Sequence, residues 1–252
     1  MPRYKIIIEY DGTRYSGWQK QPNLTTIQGQ IETALKNLTK KRVEIMGSGR
    51  TDAGVHALGQ VAHFDLDQEF DPFKIQMALN FFLKMDDITI LDCQKVANDF
   101  HSRFLAKQRI YQYKILNRRP QPAIDKNRLY HVPFKLNLKL IEEAAGYLVG
   151  KHDFSSFRDS ECQADDGIRH IDYIKIIEKE SDIIIIEIAA KSFLHHMVRN
   201  IVGTLIQFSK KNIDPSEMKN ILLAEDRTKS GPNAPSWGLY FVKVVYNTNS
   251  NL

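Results

Sequence analysis

The feature that most constrains the fold is an order of strand and helix patterns that occurs twice along the chain. In the first half, alternation over 4–10 predicts a strand, and helical spacing after Thr26 predicts a helix. A hairpin-like strand pair, a helix opened by Pro72 and a strand over 88–96 follow. The order is β-α-β-β-α-β, the split βαβ unit, which predicts an α+β fold.

The second half, although it shares no sequence identity with the first, repeats this order with one additional helix. The predicted strands cover 109–117, 168–177, 183–190 and 239–246, and the predicted helices cover 138–149, 193–208 and 215–223. An irregular segment over 98–107 joins the two parts. We therefore predict an N-terminal half over 1–102 and a C-terminal half over 103–252.

Charge and cysteine usage narrow the class of protein. The 252 residues carry a formal net charge of +5, which suggests a polyanionic partner. Two cysteines, Cys93 and Cys162, form neither a disulfide framework nor a CxxC pair, so a reduced, cytoplasmic protein is expected. The N-terminus leads directly into a strand pattern and no apolar run is long enough to span a bilayer, so we expect neither a signal peptide nor a membrane partner.

A glycine-rich segment over 47–56 lies between the two strands of the predicted hairpin. It holds three glycines, an arginine (Arg50), a carboxylate (Asp52) and a histidine (His56). Glycines let a loop turn tightly and let a ligand approach the backbone. The segment therefore predicts a carboxylate held in a fixed orientation, with one alternative: Asp52 is a turn residue that caps backbone N–H groups.

A basic, aromatic stretch follows the joining segment. Between positions 103 and 119 the sequence has no acid but six basic residues, interleaved with three aromatic ones: Arg103, Lys107, Arg109, Lys114, Arg118, Arg119, Phe104, Tyr111 and Tyr113. A strand with one solvated face is the simpler interpretation. The absence of acids favours a phosphate-binding surface whose aromatic rings stack on bases.

Two features of the long helix predicted over 193–208 bear on chemistry. His195 and His196 suggest a metal site, but no ligand set with metal spacing accompanies them, so we expect a structural role with hydrogen bonds to the adjoining sheet and no metal. Arg199 follows His195 by four positions, a spacing that predicts a shared helix face. Arg199 itself lies among apolar residues and needs a partner, for which Asp52 is one candidate and any other nearby acid is another.

The segment over 50–56 resembles the active-site motif of the TruA family of tRNA pseudouridine synthases, and further pieces in the same order extend the resemblance from Tyr4 almost to Tyr246. These pieces are Glu9-Tyr10-Asp11-Gly12, Gly17-Trp18-Gln19, Gly59-Gln60-Val61, His63-Phe64, Phe100-His101-Ser102-Arg103-Phe104, Tyr111-x-Tyr113, the segments 150–157 and 193–203, and Ala234-Pro235-x-x-Gly238-Leu239-Tyr240. There are departures: 80–85 lacks the Leu-Pro step usual in the family, and Asp165-Asp166-Gly167 matches poorly.

The resemblance implies a fold and an activity. The fold would be two ferredoxin-like halves sharing one mixed, mainly antiparallel sheet, the pseudouridine synthase fold. The activity would be isomerisation of uridine to pseudouridine at positions 38, 39 and 40 of the tRNA anticodon stem-loop, by a homodimer without a cofactor.

The resemblance also implies roles for particular residues. Asp52 would be the nucleophile, Tyr111 would stack on the target base, and Arg199 would pair with Asp52 and favour its ionised form. Arg50 and Arg103 would lie near the RNA, and we add His56 and Arg109 as substrate-binding residues. Whether Asp52 attacks the ribose C1′, attacks C6 of the base or removes a proton stays open.

Two other classes of protein share parts of this pattern. A non-catalytic RNA-binding module of RRM-like architecture has split βαβ units with basic, aromatic strands, but it needs no carboxylate held in a glycine loop. An aspartate-nucleophile hydrolase needs the carboxylate but no basic strands.

Overall fold

The structure of the chain is a computed structural model that describes residues 1–159, 162, 164–180 and 182–247. It divides into two compact units. Unit 1 comprises Met1–Lys107 together with the chain from Phe241 onwards, and unit 2 comprises Gln108–Tyr240. The compact units thus differ in extent from the halves predicted over 1–102 and 103–252, because the last strand groups with the first unit.

Unit 1 has the predicted order of elements. These are β1 (Arg3–Tyr10), α1 (Ile27–Thr39), β2 (Met46–Gly47), β3 (His56–Asp65), α2 (Pro72–Phe82) and β4 (Ile88–Val96), joined by most of the last strand, β10 (Leu239–Val245). The strands lie in the order β4-β1-β3-β10, with β2 also paired to β3. Pairing of β1 with β3 and β4, and of β2 with β3, is antiparallel.

Local signals explain why the elements of unit 1 begin where they do. Alternation along β1 buries every second side chain, from Tyr4 to Tyr10. The Thr26 hydroxyl accepts a hydrogen bond from the Gly29 N–H and caps α1, and the Asp71 carboxylate caps α2 ahead of Pro72. These are contacts between close neighbours in sequence, so the sequence predicts them well.

Unit 2 contains the elements β5 (Gln108–Leu116), β6 (Tyr130–His131), α3 (Leu138–Gly146), β7 (Gly150–Asp153), β8 (Ile168–Lys179), β9 (Ile183–Ala190), α4 (Met197–Lys211) and α5 (Glu217–Ala224). The strand order is β5-β9-β8-β7, and β6 pairs with β5. The β5–β9, β8–β9 and β7–β8 pairings are antiparallel, whereas β6 runs parallel to β5.

The α+β class predicted from the sequence is confirmed, with three differences in unit 2. The short strands β6 and β7 were not predicted, because two- and four-residue strands leave little alternation to detect. Helix α3 ends at Gly146 and not at 149. Helix α4 begins at Met197 and not at 193, because His196 adopts a left-handed conformation (φ +59°) that a helix interior excludes.

Within the described ranges, none of the helices combines the length and the apolar character that crossing a bilayer requires.

Candidate active site

The segment between β2 and β3 carries Asp52, and its first residues are fixed by the strand that follows. The Ser48 N–H donates to the Val61 carbonyl at 2.7 Å, and the Ser48 hydroxyl lies 2.6 Å from Oε1 of Gln60. The Gln60 amide in turn donates to the Gly49 carbonyl at 2.9 Å, and its side chain is buried. Because the buried Gln60 amide makes hydrogen bonds to both Ser48 and Gly49, it holds the loop backbone in one position.

The other side of this loop is held by the segment that follows β1. The Trp18 N–H donates to the Thr51 carbonyl at 3.0 Å, and the Gly54 N–H donates to the Tyr15 carbonyl at 3.3 Å. Gly17 lies between these contacts with φ +86°, and a Cβ there would lie 2.6 Å from the Thr51 oxygen. Glycine is therefore required for this close approach.

Directly beside Asp52, Thr51 is anchored to the core of unit 1. The buried Thr51 hydroxyl lies 2.8 Å from the Tyr10 hydroxyl. Burial raises the pKa of Tyr10 well above its usual range, and the negative charge of Asp52 raises it further. Tyr10 therefore stays neutral and acts as a hydrogen-bonding anchor for the residue that precedes the carboxylate.

Asp52 itself is partly buried, and its backbone carbonyl accepts a hydrogen bond from the Val55 N–H at 3.2 Å. With Thr51 tied to Tyr10 on one side and Gly54 tied to Tyr15 on the other, the backbone that bears the carboxylate is fixed at both ends. A carboxylate on such a backbone is preorganised for nucleophilic or acid–base chemistry.

The two other polar side chains of this motif differ in exposure. Arg50 is exposed. His56 is buried: its Nδ1 accepts a hydrogen bond from the Gly12 N–H at 3.1 Å and lies 3.2 Å from the Asp11 carboxylate. This burial favours a supporting role for His56 over the direct substrate contact that we predicted.

In unit 2, Arg199 projects from the first turn of α4. Its Nε donates to the Ala234 carbonyl at 2.8 Å, and the Ala234 N–H donates to the Arg199 carbonyl at 3.1 Å. The helix packs closely on this segment, since a Cβ at Gly203 would lie 1.7 Å from the Pro232 oxygen. The guanidinium is thus oriented by a second segment of the same unit, whereas its pairing with Asp52 remains a prediction.

The predicted shared helix face of His195 and Arg199 is wrong, because α4 begins only at Met197. His196 lies at the helix start with its Nδ1 2.7 Å from a carboxylate oxygen of Asp159, and the His195 ring stacks on it at 3.9 Å. The pair therefore has a structural contact, made with a loop carboxylate, and the predicted hydrogen bonds to the sheet stay a prediction.

Tyr111 lies on β5 opposite Ile188 of β9. Its ring packs edge-on against Phe193, with 5.1 Å between ring centroids, and 7% of the residue is exposed. The edge contact fixes the plane of the ring, which is the property that a stacking residue needs.

Comparison with known proteins decides the family. The family described as tRNA pseudouridine synthase matches residues 6–104 and 144–247 of the chain. Proteins named tRNA pseudouridine synthase A from Wolbachia pipientis wMel and Anaplasma marginale (strain Florida) are 48% and 45% identical to it. Each match covers 97% of this chain and the whole of the relative. The chain belongs to the tRNA pseudouridine synthase family.

Membership of the tRNA pseudouridine synthase family confirms the predicted enzyme class, an isomerase with the pseudouridine synthase fold. The non-catalytic RNA-binding module is not favoured. Among solved structures, an H/ACA RNP bound to a substrate RNA containing 2′-deoxyuridine matches with a TM-score of 0.36 and 9% identity. That match covers 81% of this chain and 43% of the other, and it is too distant to bear on function.

The basic, aromatic stretch of this tRNA pseudouridine synthase does not form one continuous face. Alternation along β5 buries Arg109, whose Nη1 donates to the Lys191 carbonyl, together with Tyr111 and Tyr113. Lys114 lies 3.7 Å over the Tyr240 ring, and burial lowers its pKa. The exposed side chains of the stretch lie outside β5, and they include Arg103, Phe104, Lys107 and Arg119. The Arg109 contact with the Lys191 carbonyl supports the end of the strand, and its contact with RNA stays a prediction.

Sequence analysis missed the residues that hold the loop of Asp52, namely Tyr10, Trp18, Ser48 and Gln60. Trp18 packs so closely on Gly47 that a Cβ there would lie 2.7 Å from its ring. The signals in the sequence were that Tyr10, Trp18 and Gln60 lie in the family motifs and that Ser48 lies in the glycine-rich segment over 47–56. Ser48 and Gln60 lie 12 positions apart, and nothing in that spacing predicts the hydrogen bond between their side chains.

Proposed function

We propose that this chain isomerises uridine to pseudouridine at positions 38, 39 and 40 of the tRNA anticodon stem-loop, with Asp52 as the catalytic residue. The observation that carries the proposal is the fixed carboxylate. In a chain that belongs to the tRNA pseudouridine synthase family, Asp52 lies on a loop that hydrogen bonds hold from both sides. The positions within tRNA come from the resemblance to the TruA family.

The proposed reaction breaks one bond of the ribose C1′ and forms another. The C1′–N1 bond breaks, the base turns, C1′ bonds to C5, and the C5 hydrogen leaves as N1 gains a proton. No electrons are gained or lost, so we propose that no cofactor takes part. A carboxylate suits the cleavage of a glycosidic bond because it adds to, or stabilises, an oxocarbenium-like carbon. Asp52 performs this role in its ionised form, beside a neutral Tyr10.

The substrate must also be bound and its uridine exposed. A base inside a stem is reached only after it leaves the stack, which costs a few kcal/mol. We propose that the Tyr111 ring holds the flipped uridine and that the exposed Arg50 and Arg103 contact the RNA. We further propose that Arg199 pairs with Asp52, and that His56 and Arg109 support the backbone around the substrate.

The experiment that tests this function uses unmodified tRNA labelled with tritium at C5 of uridine. Wild-type protein is expected to release the label, and Asp52→Asn to lose at least about a hundredfold in rate while its tRNA affinity stays within a few-fold. Asp67→Asn is the matched control: it removes an exposed carboxylate of the same unit, paired with Lys41, and leaves the rate unchanged. No release by wild type, or release by Asp52→Asn at the wild-type rate, contradicts the proposal.

We propose a homodimer that associates through an apolar stripe on α2. Phe73, Met77 and Phe81 recur every fourth residue on this helix and are 65%, 56% and 64% exposed, and the nearby Met85 and Leu91 are also exposed. Exposed apolar patches of this kind mark interaction sites. A stripe centred on Met77 is self-complementary, because a two-fold axis there brings Phe73 of one copy against Phe81 of the second.

The exposed apolar area fits binding of a second copy of the chain. At about 200 Å² for a large side chain, the three residues of the stripe together with Met85 and Leu91 expose roughly 500–700 Å², close to the ~800 Å² that each partner of a stable complex buries. Sedimentation at micromolar concentration is expected to show a dimer for wild type and a monomer for Met77→Glu. Leu223→Glu, at an exposed residue of α5, is the control and is expected to remain a dimer. A wild-type monomer, or a dimer in Met77→Glu, contradicts this assignment.

We also propose that the protein acts in the cytoplasm. Cys93 and Cys162 are free thiols in the structure, which suits a reducing compartment. Cell fractionation with an antibody against the chain tests this location, and recovery from an oxidising compartment contradicts it.

A further inference from the structure

Phe104 is the exposed aromatic of the basic stretch. It is 72% exposed, whereas Tyr113 is fully buried and Tyr111 nearly so. It lies in the segment of unit 1 between β4 and β5. Leaving a phenylalanine ring largely in water is unfavourable, so its contacts on the protein side indicate what it is placed to do.

The protein side of Phe104 is a column of rings. Its ring lies on the His101 ring, with centroids 4.2 Å apart and an angle of 34° between planes. The His101 ring lies against His63 of β3 at 4.7 Å, and Phe100 meets the His63 ring edge-on at 6.0 Å. The innermost rings, His63 and Phe100, are buried, so the column runs from the core of unit 1 to the surface.

Hydrogen bonds fix the backbone that carries the column. The His101 Nδ1 accepts from the N–H groups of Arg103 and Phe104 at 3.2 and 3.4 Å. The Ser102 hydroxyl donates to the Met46 carbonyl at 2.7 Å, and the Tyr246 hydroxyl donates to the Ser102 carbonyl at 2.7 Å. Met46 belongs to β2, which leads into the loop of Asp52, so the platform is anchored to the strand that carries the active-site loop.

The charge around Phe104 fits a nucleic acid. The Arg103 guanidinium lies 5.9 Å from the Phe104 ring, and no Asp or Glu occurs from Phe100 to Arg119. Burial lowers the pKa of His63 to about 4, and burial with nearby arginines lowers that of His101, so both rings of the column are neutral at pH 7. The column is thus an apolar stacking surface with positive charge beside it, the combination that binds single-stranded nucleic acid.

We infer that Phe104, supported by His101 and His63, is a stacking platform for an unpaired nucleobase of the RNA substrate, with Arg103 beside the adjoining phosphate. The inference rests on the proposed function, because it takes tRNA as the ligand. Stacking on a ring tolerates any base, so the platform adds affinity and position without reading sequence. Because the ring is held before RNA arrives, little ordering cost opposes binding.

The first arm of the test measures affinity for an unmodified anticodon stem-loop RNA at fixed salt. Phe104→Ala is expected to bind about 5- to 150-fold more weakly, the range for one stacked base. Phe104→Leu, which keeps an apolar side chain without a ring, is expected to lose nearly as much, and Phe104→Trp to bind at least as well as wild type. Leu223→Ala is the control, since Leu223 is an exposed apolar residue on α5 of unit 2.

The second arm observes the stacking directly. After subtraction of the wild-type signal, the added tryptophan emission of Phe104→Trp is expected to be quenched by the RNA, and that of Leu223→Trp to be unchanged. Affinity of Phe104→Ala within twofold of wild type, or no quenching in Phe104→Trp, overturns the inference. So does a shift of oligomeric state in Phe104→Ala at unchanged RNA affinity, which would assign the ring to a protein contact.

Failure of this inference is distinguishable from failure of the proposed function. Wild-type protein that releases tritium from tRNA while Phe104→Ala binds and reacts as wild type does leaves the function intact and removes the platform. Wild-type protein that releases no tritium removes the function itself.

Discussion

At the scale of single residues, the setting of Asp52 shows how a loop carboxylate gains a fixed position. Thr51, immediately before it, is tied to Tyr10 in the core, and Gly54, shortly after it, is tied to Tyr15. Both contacts are made by close neighbours of Asp52 in the sequence. Because folding itself fixes this backbone, the proposed catalytic group needs no further ordering when the substrate reacts.

The buried His63 gives a pH-dependent stability. Its pKa of about 4 in the folded protein lies below the ordinary value near 6.5, because burial disfavours the charged ring and His101 and Arg3 repel it, against a smaller opposing effect of Asp65. Between pH 6.5 and 4 the unfolded chain therefore binds the extra proton. We therefore expect His63 to lower the free energy of unfolding by up to about 1.4 kcal/mol for each pH unit as the pH falls from 6.5 to 4.

Urea unfolding of wild type and His63→Gln at several pH values measures this effect. The stability advantage of wild type is expected to shrink as pH falls from 6.5 to 4. His170→Gln, which removes an exposed histidine of unit 2, is the control. A difference between wild type and His63→Gln that stays constant from pH 6.5 to 4 would show that His63 protonates freely in the folded protein.

For Tyr111, the ring is expected to matter more than the hydroxyl. Tyr111→Phe keeps the edge contact with Phe193 and should bind tRNA within a few-fold of wild type. Tyr111→Ala should bind about 5- to 150-fold more weakly. Because the loss of a buried ring also lowers stability, the affinity is corrected for the fraction of folded protein. Filter binding with both variants decides, and equal loss in the two would assign the contact to the hydroxyl.

At the scale of elements, short segments that pack on the active-site loop matter as much as the strands that bear it. The segment over 15–18 follows β1 and presses its backbone onto the loop at Thr51 and Gly54. In unit 2 the segment over 232–234 does the same for α4 at Gly203 and Arg199. Both contacts depend on a glycine, because a side chain would separate two backbones that must touch.

Gly17→Ala tests the first of these contacts. The substitution places a Cβ at φ +86°, which costs about 1–2 kcal/mol, and 2.6 Å from the Thr51 oxygen, so the loop must move. We expect lower stability and, at matched folded fraction, slower tritium release. Gly146→Ala is the matched control: a Cβ there meets no atom within 4 Å at the end of α3, and the change should stabilise by about 0.5–1 kcal/mol with activity unchanged. Full activity of folded Gly17→Ala would show that the loop position is not critical.

At the scale of the whole molecule, the chain folds as two units, and the proposed catalytic residues are divided between them. Unit 1 holds Asp52, and unit 2 holds Arg199 and Tyr111. The proposed pairing of Arg199 with Asp52 therefore requires both units, and a double-mutant cycle tests it without any assumption about their arrangement.

Arg199→Met is expected to cost about 3–5 kcal/mol of stability if it leaves a carboxylate unpaired. It is also expected to move the acid limb of the pH–rate profile to higher pH, because loss of the positive charge disfavours the ionised form of Asp52. Combining it with Asp52→Asn should restore part of that stability. Urea unfolding of the three variants measures the coupling, and strict additivity would mean that Arg199 serves a different acid.

The sequence by itself determined the order of the elements, most of their bounds and the position of the glycine-rich loop that bears Asp52, the proposed catalytic residue. Alternation along β1, the cap at Thr26 and the Asp71-Pro72 start of α2 are properties of neighbouring residues, so they can be read before any tertiary contact is known. The family motif around Asp52 is likewise contiguous.

The tertiary structure alone decided which of the recognised side chains face solvent and what holds the loop in place. Sequence analysis placed Phe104, Tyr111 and Arg109 in one basic, aromatic stretch. Phe104, before β5, is exposed, whereas strand pairing and packing bury Tyr111 and Arg109 on one face of β5. The start of α4 was shifted by the left-handed conformation of His196, whose ring contacts Asp159, 37 residues away. Burial and hydrogen-bond partners depend on residues distant in sequence, and no local pattern encodes them.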